Sequence, residues 1–251
     1  MAELVDAQVS GTCGLTAVEV RVFSWAPSAF AGFSKPELKR QRDKSIQLMT
    51  IHLHQHDLPA DFDPGDAIAI DCETMGLRPE RDRLCLVQVS NGDGDAHLVQ
   101  IDKKVQPAPN LTAMLANESI DKLYHFGRFD IAVLYKNFGV ISTPNYCTKI
   151  ASKLVRTYTD RHSLKELCRE MLGVGLSKEQ QSSDWGAAEI TPEQQAYAAS
   201  DVLYLHQLRE KLNVMLEREG RTGLAQSCFE FLPTRCLLDL EGWPELDIFS
   251  H

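Results

Sequence analysis

The run Ala67-Ile68-Ala69-Ile70-Asp71-Cys72-Glu73 ends an apolar stretch in two carboxylates. It reads as a buried strand, in which successive side chains switch faces. Asp71 and Glu73 therefore leave one face together at the strand's end. Two adjacent anions on a buried face repel and lose hydration, so they need a cation or a proton. A divalent metal meets that need. An acidic turn after a strand would carry the same residues, so the reading depends on what else the chain supplies.

A further acid lies in Tyr124-His125-Phe126-Gly127-Arg128-Phe129-Asp130. Leu123–Phe126 reads as a short strand and Arg128–Phe138 as the helix after it. On that helix Asp130 shares a stripe with Val133, Leu134 and Asn137, which turns it inward, unless it serves as an N-cap. A third element follows Thr191-Pro192-Glu193, where Thr caps, Pro suits the first helical position and Glu adds favourable charge. The helix is expected to continue to about Leu216. Tyr197 and Asp201 share its face with Tyr204, Leu205, Leu208 and Leu212, placing a phenol and a carboxylate on a core stripe.

Asp-x-Glu on a strand, Asp after a second strand and Tyr-x-x-x-Asp on a late helix resemble the DEDD superfamily of 3′–5′ exonucleases, in its Tyr subclass. Asp71-Cys72-Glu73-Thr74-Met75-Gly76-Leu77, Leu84-Cys85-Leu86-Val87-Gln88-Val89-Ser90 and Gln181-Ser182-Ser183-Asp184-Trp185 look like the ribonuclease D branch. Within it the chain is most similar to nanoRNase C, which cuts very short oligoribonucleotides. The resemblance covers Ile51 to the C-terminus. It implies a ribonuclease H-like α/β fold, a mixed sheet flanked by helices in a single exonuclease domain.

Composition bounds the substrate. Apolar residues at 43% and charged residues at 24% suit one globular α/β domain in 251 residues. The net charge of −9 disfavours long non-specific polyanion binding, which rests on many Lys and Arg contacts to phosphates. It still allows a short substrate held by metals and a few local cations. Seven cysteines, an odd number without Cys-x-x-Cys spacing, fit a reducing cytoplasm. No apolar stretch is long enough to span a bilayer, and no membrane partner is expected.

Local cations are present. Lys149, Lys153 and Arg156 fall at i, i+4 and i+7 on one helical stripe, which is either a solvated face or a terminal-phosphate site. Arg128 precedes Asp130, and His125 is either a satisfied core histidine or a phosphate contact. Phe129 or Tyr124 could stack a base. The motif runs nominate Thr74, Met75, Gly76, Ser183, Asp184 and Trp185 as substrate contacts. By resemblance, Leu77 matches an apolar wedge between the last two bases; packing on the core is the alternative.

The expected layout is strand Ala67–Asp71, strand Leu84–Ser90, a turn at Asn91-Gly92-Asp93-Gly94 and strand Ala96–Ile101, since Asn-Gly between apolar runs signals a hairpin. A helix near Leu111–Ala116, the strand and helix around Asp130, and a helix from Cys147 to Val155 follow. Ser163-Leu164-Lys165-Glu166 then opens a helix that Gly173 stops. Residues 220–251 are too few for an appended RNA-binding domain, because autonomous folds below roughly forty residues are rare. Their apolar positions, Phe229, Phe231, Leu232, Trp243, Ile248 and Phe249 among them, cover the core or form a subunit interface. NanoRNase C enzymes assemble as rings, so a homo-octamer is expected.

Residues 1–48 do not match the family and are expected to be a non-native or disordered extension before the exonuclease domain, residues 49–251. The segment lacks the basic start of a signal peptide. One back-translation of Glu19-Val20-Arg21-Val22 contains the GTTCGA of a tRNA T-arm, and Ala26-Pro27 can read GCA-CCA, so the natural start is expected at Met49.

The resemblance assigns Asp71, Glu73, Asp130 and Asp201 to two Mg²⁺ or Mn²⁺ ions, with Asp71 bridging and Asp130 acting through water. Ions roughly 3.5–4 Å apart stabilise an in-line displacement. Hard oxygen ligands suit Mg²⁺ or Mn²⁺ better than Zn²⁺. Tyr197 would orient the attacking water, and the products would be nucleoside 5′-monophosphates. The expected substrate is short RNA, 5′-phosphorylated dinucleotides above all. The alternatives are ribonuclease D-like trimming of longer ends and a non-catalytic nucleic-acid-binding role.

Overall fold

The computed structural model describes residues 50–103, 107–177 and 179–250. The expected extension over residues 1–48 and the expected start at Met49 lie outside the described residues. Six strands form one sheet: β1 (Ile51–Gln55), β2 (Ala67–Thr74), β3 (Leu84–Ser90), β4 (Ala96–Gln100), β5 (Asp121–Tyr124) and β6 (Asn145–Cys147). Their order is β1-β4-β3-β2-β5-β6. The β2–β3–β4 meander is antiparallel, while β1 runs parallel to β4, β5 to β2 and β6 to β5.

The helices are α1 (Pro109–Ala116), α2 (Arg128–Phe138), α3 (Thr148–Val155), α4 (Leu164–Leu167), α5 (Pro192–Val202), α6 (Leu205–Arg218) and α7 (Thr222–Leu240), with a π-helical turn at Cys168–Leu172 after α4. Ile68, Ile70, Val87, Val89, Leu123, Val133, Leu208 and Leu212 are fully buried in one core between sheet and helices. Burial of such side chains contributes roughly 1.5–3 kcal/mol each. The architecture is the mixed α/β sheet that the sequence leads one to expect.

Several boundaries differ from expectation. Strand β2 runs on to Thr74, because Cys72, Glu73 and Thr74 still pair with Val87, Leu86 and Leu84, across a register shift after Glu73. Both edge strands were unanticipated. In β1 the alternation of Ile51 and Leu53 with His52 and His54 spans only two apolar positions, and β6 is only three residues long. Strand β5 stops at Tyr124 rather than Phe126, where the backbone turns to φ +71°.

The late helix is two helices rather than one. Thr191 and Gln194 form a capping box around Pro192, so the start is as the sequence implies. Leu203 and Tyr204 then interrupt it. The break lets α5 hold Tyr197 and Asp201 at one end of the sheet while α6 buries Leu205, Leu208, Leu212 and Leu216. Residues 222–240 form α7, which buries Ala225, Phe229, Leu232 and Cys236 and leaves Phe231 exposed. Beyond it Trp243, Leu246, Ile248 and Phe249 are exposed.

Candidate active site

Strand β2 carries Asp71 and Glu73 on one face, and α5 brings Asp201 across to meet them. One carboxylate oxygen from each of the three lies within 4.8 Å of the others. Asp130, in the first turn of α2, lines the same cleft at 3% exposure. The helix α2 has no side-chain N-cap, and Asp130 is turned inward instead. Tyr197, one turn before Asp201, makes a polar contact with it, and its ring packs on Trp185 at 6.0 Å between centroids.

The electrostatics are those of a site built for cations. Burial raises Asp71 to about 7. Burial, then Asp71, Asp201 and Asp130, raise Glu73 to about 10. Burial and the Asp71 charge hold Asp130 and Asp201 well above the carboxylate range. Four acids this close cannot all ionise without positive charge among them. Oxygen-only donors on a rigid strand and helix fit Mg²⁺ or Mn²⁺. Tyr197 is raised by burial and by the charges of Asp201, Glu73 and Asp71, so its phenol stays protonated at neutral pH.

These residues floor a cleft of about 830 Å³. Thr74, Met75, Gly76, Leu77, His125, Phe129, Lys149, Ser183 and Trp185 line it. Thr74 Oγ1 donates to the Gly76 carbonyl, tightening the lip after β2. A Cβ at Gly76 would stand 2.2 Å from Asp82 Oδ2, so any side chain there would displace the Asp82 carboxylate. Leu77 is 87% exposed, which excludes packing on the core and leaves it free over the cleft.

Other nominated residues are not brought together. Arg156 is not on the stripe of Lys149 and Lys153, because α3 ends at Val155 and the next residue turns inward. It is 1% exposed, donates to Arg161 O at 2.6 Å and Ser152 Oγ at 3.2 Å, and pairs with Glu170. Arg128 points away from the cleft and binds Asp239 with both Nε and Nη2, at 2.5 and 2.7 Å, tying α2 to α7. Asp184 does not line the cleft; its Oδ1 accepts from the Gly186 amide at 3.0 Å. Tyr124 is fully buried with its hydroxyl 2.6 Å from Ser142 Oγ, so it offers no stacking surface. His125 lines the cleft 2.9 Å from Thr148 Oγ1, and burial, then Lys149, press it down to about 3. It is a neutral imidazole and supplies no charge to a phosphate.

Sequence reasoning missed Phe126, Lys165 and Gln181, all lining the cleft. Lys165 follows the helix-starting Ser163, whose hydroxyl accepts from Glu166 N. That start fixed the helix's first turn but not which way it faced. Phe126 was hidden inside an expected strand.

The family described as 3′–5′ exonuclease matches residues 52–217. The structure is similar to Brucella melitensis NrnC, at 58% identity and TM-score 0.78 over 80% of this chain and 98% of that one. The same comparison with NrnC bound to pGG gives 58%, 0.78, 81% and 99%. With bound Mg²⁺ it gives 57%, 0.77, 80% and 98%. Escherichia coli RNase D is 31% identical with TM-score 0.60 over 68% of this chain and 45% of that one. Ribonuclease D of Acidiphilium cryptum is 30% identical over 154 residues, 61% of this chain and 39% of that protein, so the chain spans about two fifths of the curated relative's length. With a family match over most of the sequence and a relative covered almost end to end, the chain belongs to the 3′–5′ exonuclease family, in the ribonuclease D-like branch with nanoRNase C.

Proposed function

We propose that the chain is a metal-dependent 3′–5′ exoribonuclease that degrades short oligoribonucleotides, 5′-phosphorylated dinucleotides above all, to nucleoside 5′-monophosphates. The observation that carries this is the meeting of Asp71, Glu73 and Asp201 within 4.8 Å on the floor of a cleft. The substrate length is supported by the likeness to NrnC bound to pGG and by the net charge of −9.

Asp71, Glu73 and Asp201 would hold divalent ions, with Asp130 supporting a second one. Two Mg²⁺ or Mn²⁺ ions would supply neutralisation of the scissile phosphate and of the charge that develops on it. Tyr197, kept protonated, orients the attacking water by hydrogen bonding and does not take its proton. Leu77 at the lip separates the two bases, and Lys149 and Lys165 offer the positive charge for phosphates. Thr74, Met75, Gly76, His125, Phe129, Ser183 and Trp185 complete the wall.

The exposed Phe231, Trp243, Leu246, Ile248 and Phe249 support a subunit interface, and we assign the assembly as a homo-octamer. Cys72, Cys85, Cys147, Cys168, Cys228 and Cys236 are all free thiols, which supports a cytoplasmic setting. Among the described residues no helix is long and apolar enough to cross a membrane.

The test is turnover of 5′-phosphorylated RNAs from two to about twenty nucleotides, with Mg²⁺, Mn²⁺ or chelator. Nucleoside 5′-monophosphates released from the shortest substrates, and only with metal, are expected. Metal-independent cleavage or cleavage of long RNA alone overturns the reading.

A further inference from the structure

Phe126 occupies a backbone position that suits it badly. Its φ is +71°, and among the described residues only His56 is another non-glycine with positive φ. For a bulky side chain this left-handed region is costly. The turn itself explains the backbone: Phe126 O accepts from Phe129 N at 3.1 Å as the chain enters α2. At the neighbouring Gly127 a Cβ would stand 2.8 Å from Tyr124 Cβ, so the chain passes tightly over the end of β5. None of this requires an aromatic ring. Glycine or asparagine would adopt the same angle at lower cost.

Nor does the core use the ring. Phe126 is 45% exposed and lines the cleft, with Lys149 Nζ 4.1 Å from its centroid. A strained, exposed aromatic steadied by a cation at the wall of a nucleotide-sized cleft is placed for a ligand with a flat π-face. We propose that the Phe126 ring is a nucleobase-stacking platform, with Lys149 beside it for a phosphate of the same substrate. The assignment rests on the nucleic-acid reading of the cleft given above. Stacking tolerates every base, which suits an enzyme consuming short RNA of any sequence.

The experiment uses the full chain and the variants Phe126→Ala, Phe126→Asn, Phe126→Gly and Phe126→Trp. KM and kcat are measured on a 5′-phosphorylated dinucleotide and on two analogues, each lacking one base. Binding of a fluorescent dinucleotide and Tm are measured alongside. Stacking predicts that Phe126→Ala raises KM and the dissociation constant about 5- to 100-fold, with kcat changed by less than about threefold. Phe126→Trp retains affinity. On one of the two abasic analogues the loss disappears, because no base remains to stack. Phe126→Gly and Phe126→Asn keep or raise Tm while losing affinity, the opposite of a structural role.

An unchanged KM in Phe126→Ala, or an equal loss on both abasic analogues, overturns the platform while leaving the exonuclease reading intact. A lower Tm in Phe126→Gly with unaltered affinity does the same. A wild-type chain that neither cleaves nor binds dinucleotides overturns both.

Discussion

Gln88 stands directly across the β2–β3 ladder from Asp71, and its Nε2 donates to Asp71 Oδ2 over a long 3.4 Å. The amide is fully buried, and its Oε1 has no hydrogen-bond partner. A buried acceptor left unmet costs about 1–3 kcal/mol, so the residue is not there for stability alone. It holds the orientation of a site carboxylate.

Gln88→Leu is therefore expected to leave the Tm of the metal-free protein unchanged or higher, since the orphaned acceptor is removed. Mg²⁺ affinity by calorimetry should fall about 10-fold, the lower end for loss of a residue supporting a metal ligand. Unaltered Mg²⁺ affinity would defeat the orienting role.

Asp71→Asn and Asp201→Asn should abolish turnover while the fold survives. Each relieves repulsion among acids whose protonation burial already favours, so the metal-free variants should melt at or above the wild-type temperature. The rise in Tm that Mg²⁺ gives the wild type should shrink or vanish, because ligand-linked stabilisation needs an intact site. Asp71→Asn activity within about twofold of wild type would sink the two-metal assignment, which asks several kcal/mol of this group.

Tyr197→Phe should be the milder change, lowering kcat about 10- to 100-fold with Mg²⁺ affinity intact, the scale of lost positioning rather than lost ligands. The phenol is pushed up by burial first and Asp201 second, so no rise in rate tracking phenol ionisation is expected below about pH 9. Such a rise in the wild type, absent from Tyr197→Phe, would restore Tyr197 as a base.

The sequence made the acids legible because strand and helix periodicities are strong and local: period two put Asp71 beside Glu73, and i, i+4 put Tyr197 beside Asp201. It could not show Arg156 turning into Glu170 or Arg128 reaching Asp239, because both pairings are tertiary. A basic stripe counted through a helix end is where local periodicity stops applying. Phe126 escaped for a related reason, since no pattern within Leu123–Phe126 announces a positive φ.

On the sheet's β1–β4 side, His54 Nε2 lies 2.9 Å from His97 Nδ1, and His52 stacks on His97 at 4.5 Å. Burial, then His52 and His54, press His97 down to about 4. A base held below its unfolded value contributes stability fully above pH 6.5, and that stability is lost as pH falls toward 4, where only the unfolded chain readily takes the proton. The active-site acids, raised rather than lowered, push the other way, so the difference between proteins is the measurement. The Tm of wild type minus that of His97→Gln should decrease from about pH 7 to about pH 4. A difference independent of pH would remove His97 from the acid response.

Substrate length should be decided at the cleft's cationic wall. Among the described residues, Lys149 and Lys165 are the lysines that line it, and Leu77 stands over the lip at 87% exposure. If these groups take the 5′-phosphate of a dinucleotide, charge-assisted hydrogen bonds anchor the substrate with its scissile bond already over Asp71 and Asp201. A longer chain must displace that anchor, and the chain's net charge of −9 offers little general attraction in return. Specificity should then appear in kcat/KM, with a 5′-phosphorylated dinucleotide preferred over an RNA of about twenty nucleotides by at least about 10-fold, the worth of one charged hydrogen bond. Removing the 5′-phosphate should lower kcat/KM on the dinucleotide and hardly alter it on the long RNA. Lys149→Met and Lys165→Met should each shrink that phosphate effect without weakening Mg²⁺ binding. Equal kcat/KM for the two lengths would remove the anchored pocket and favour an enzyme that trims longer RNA ends.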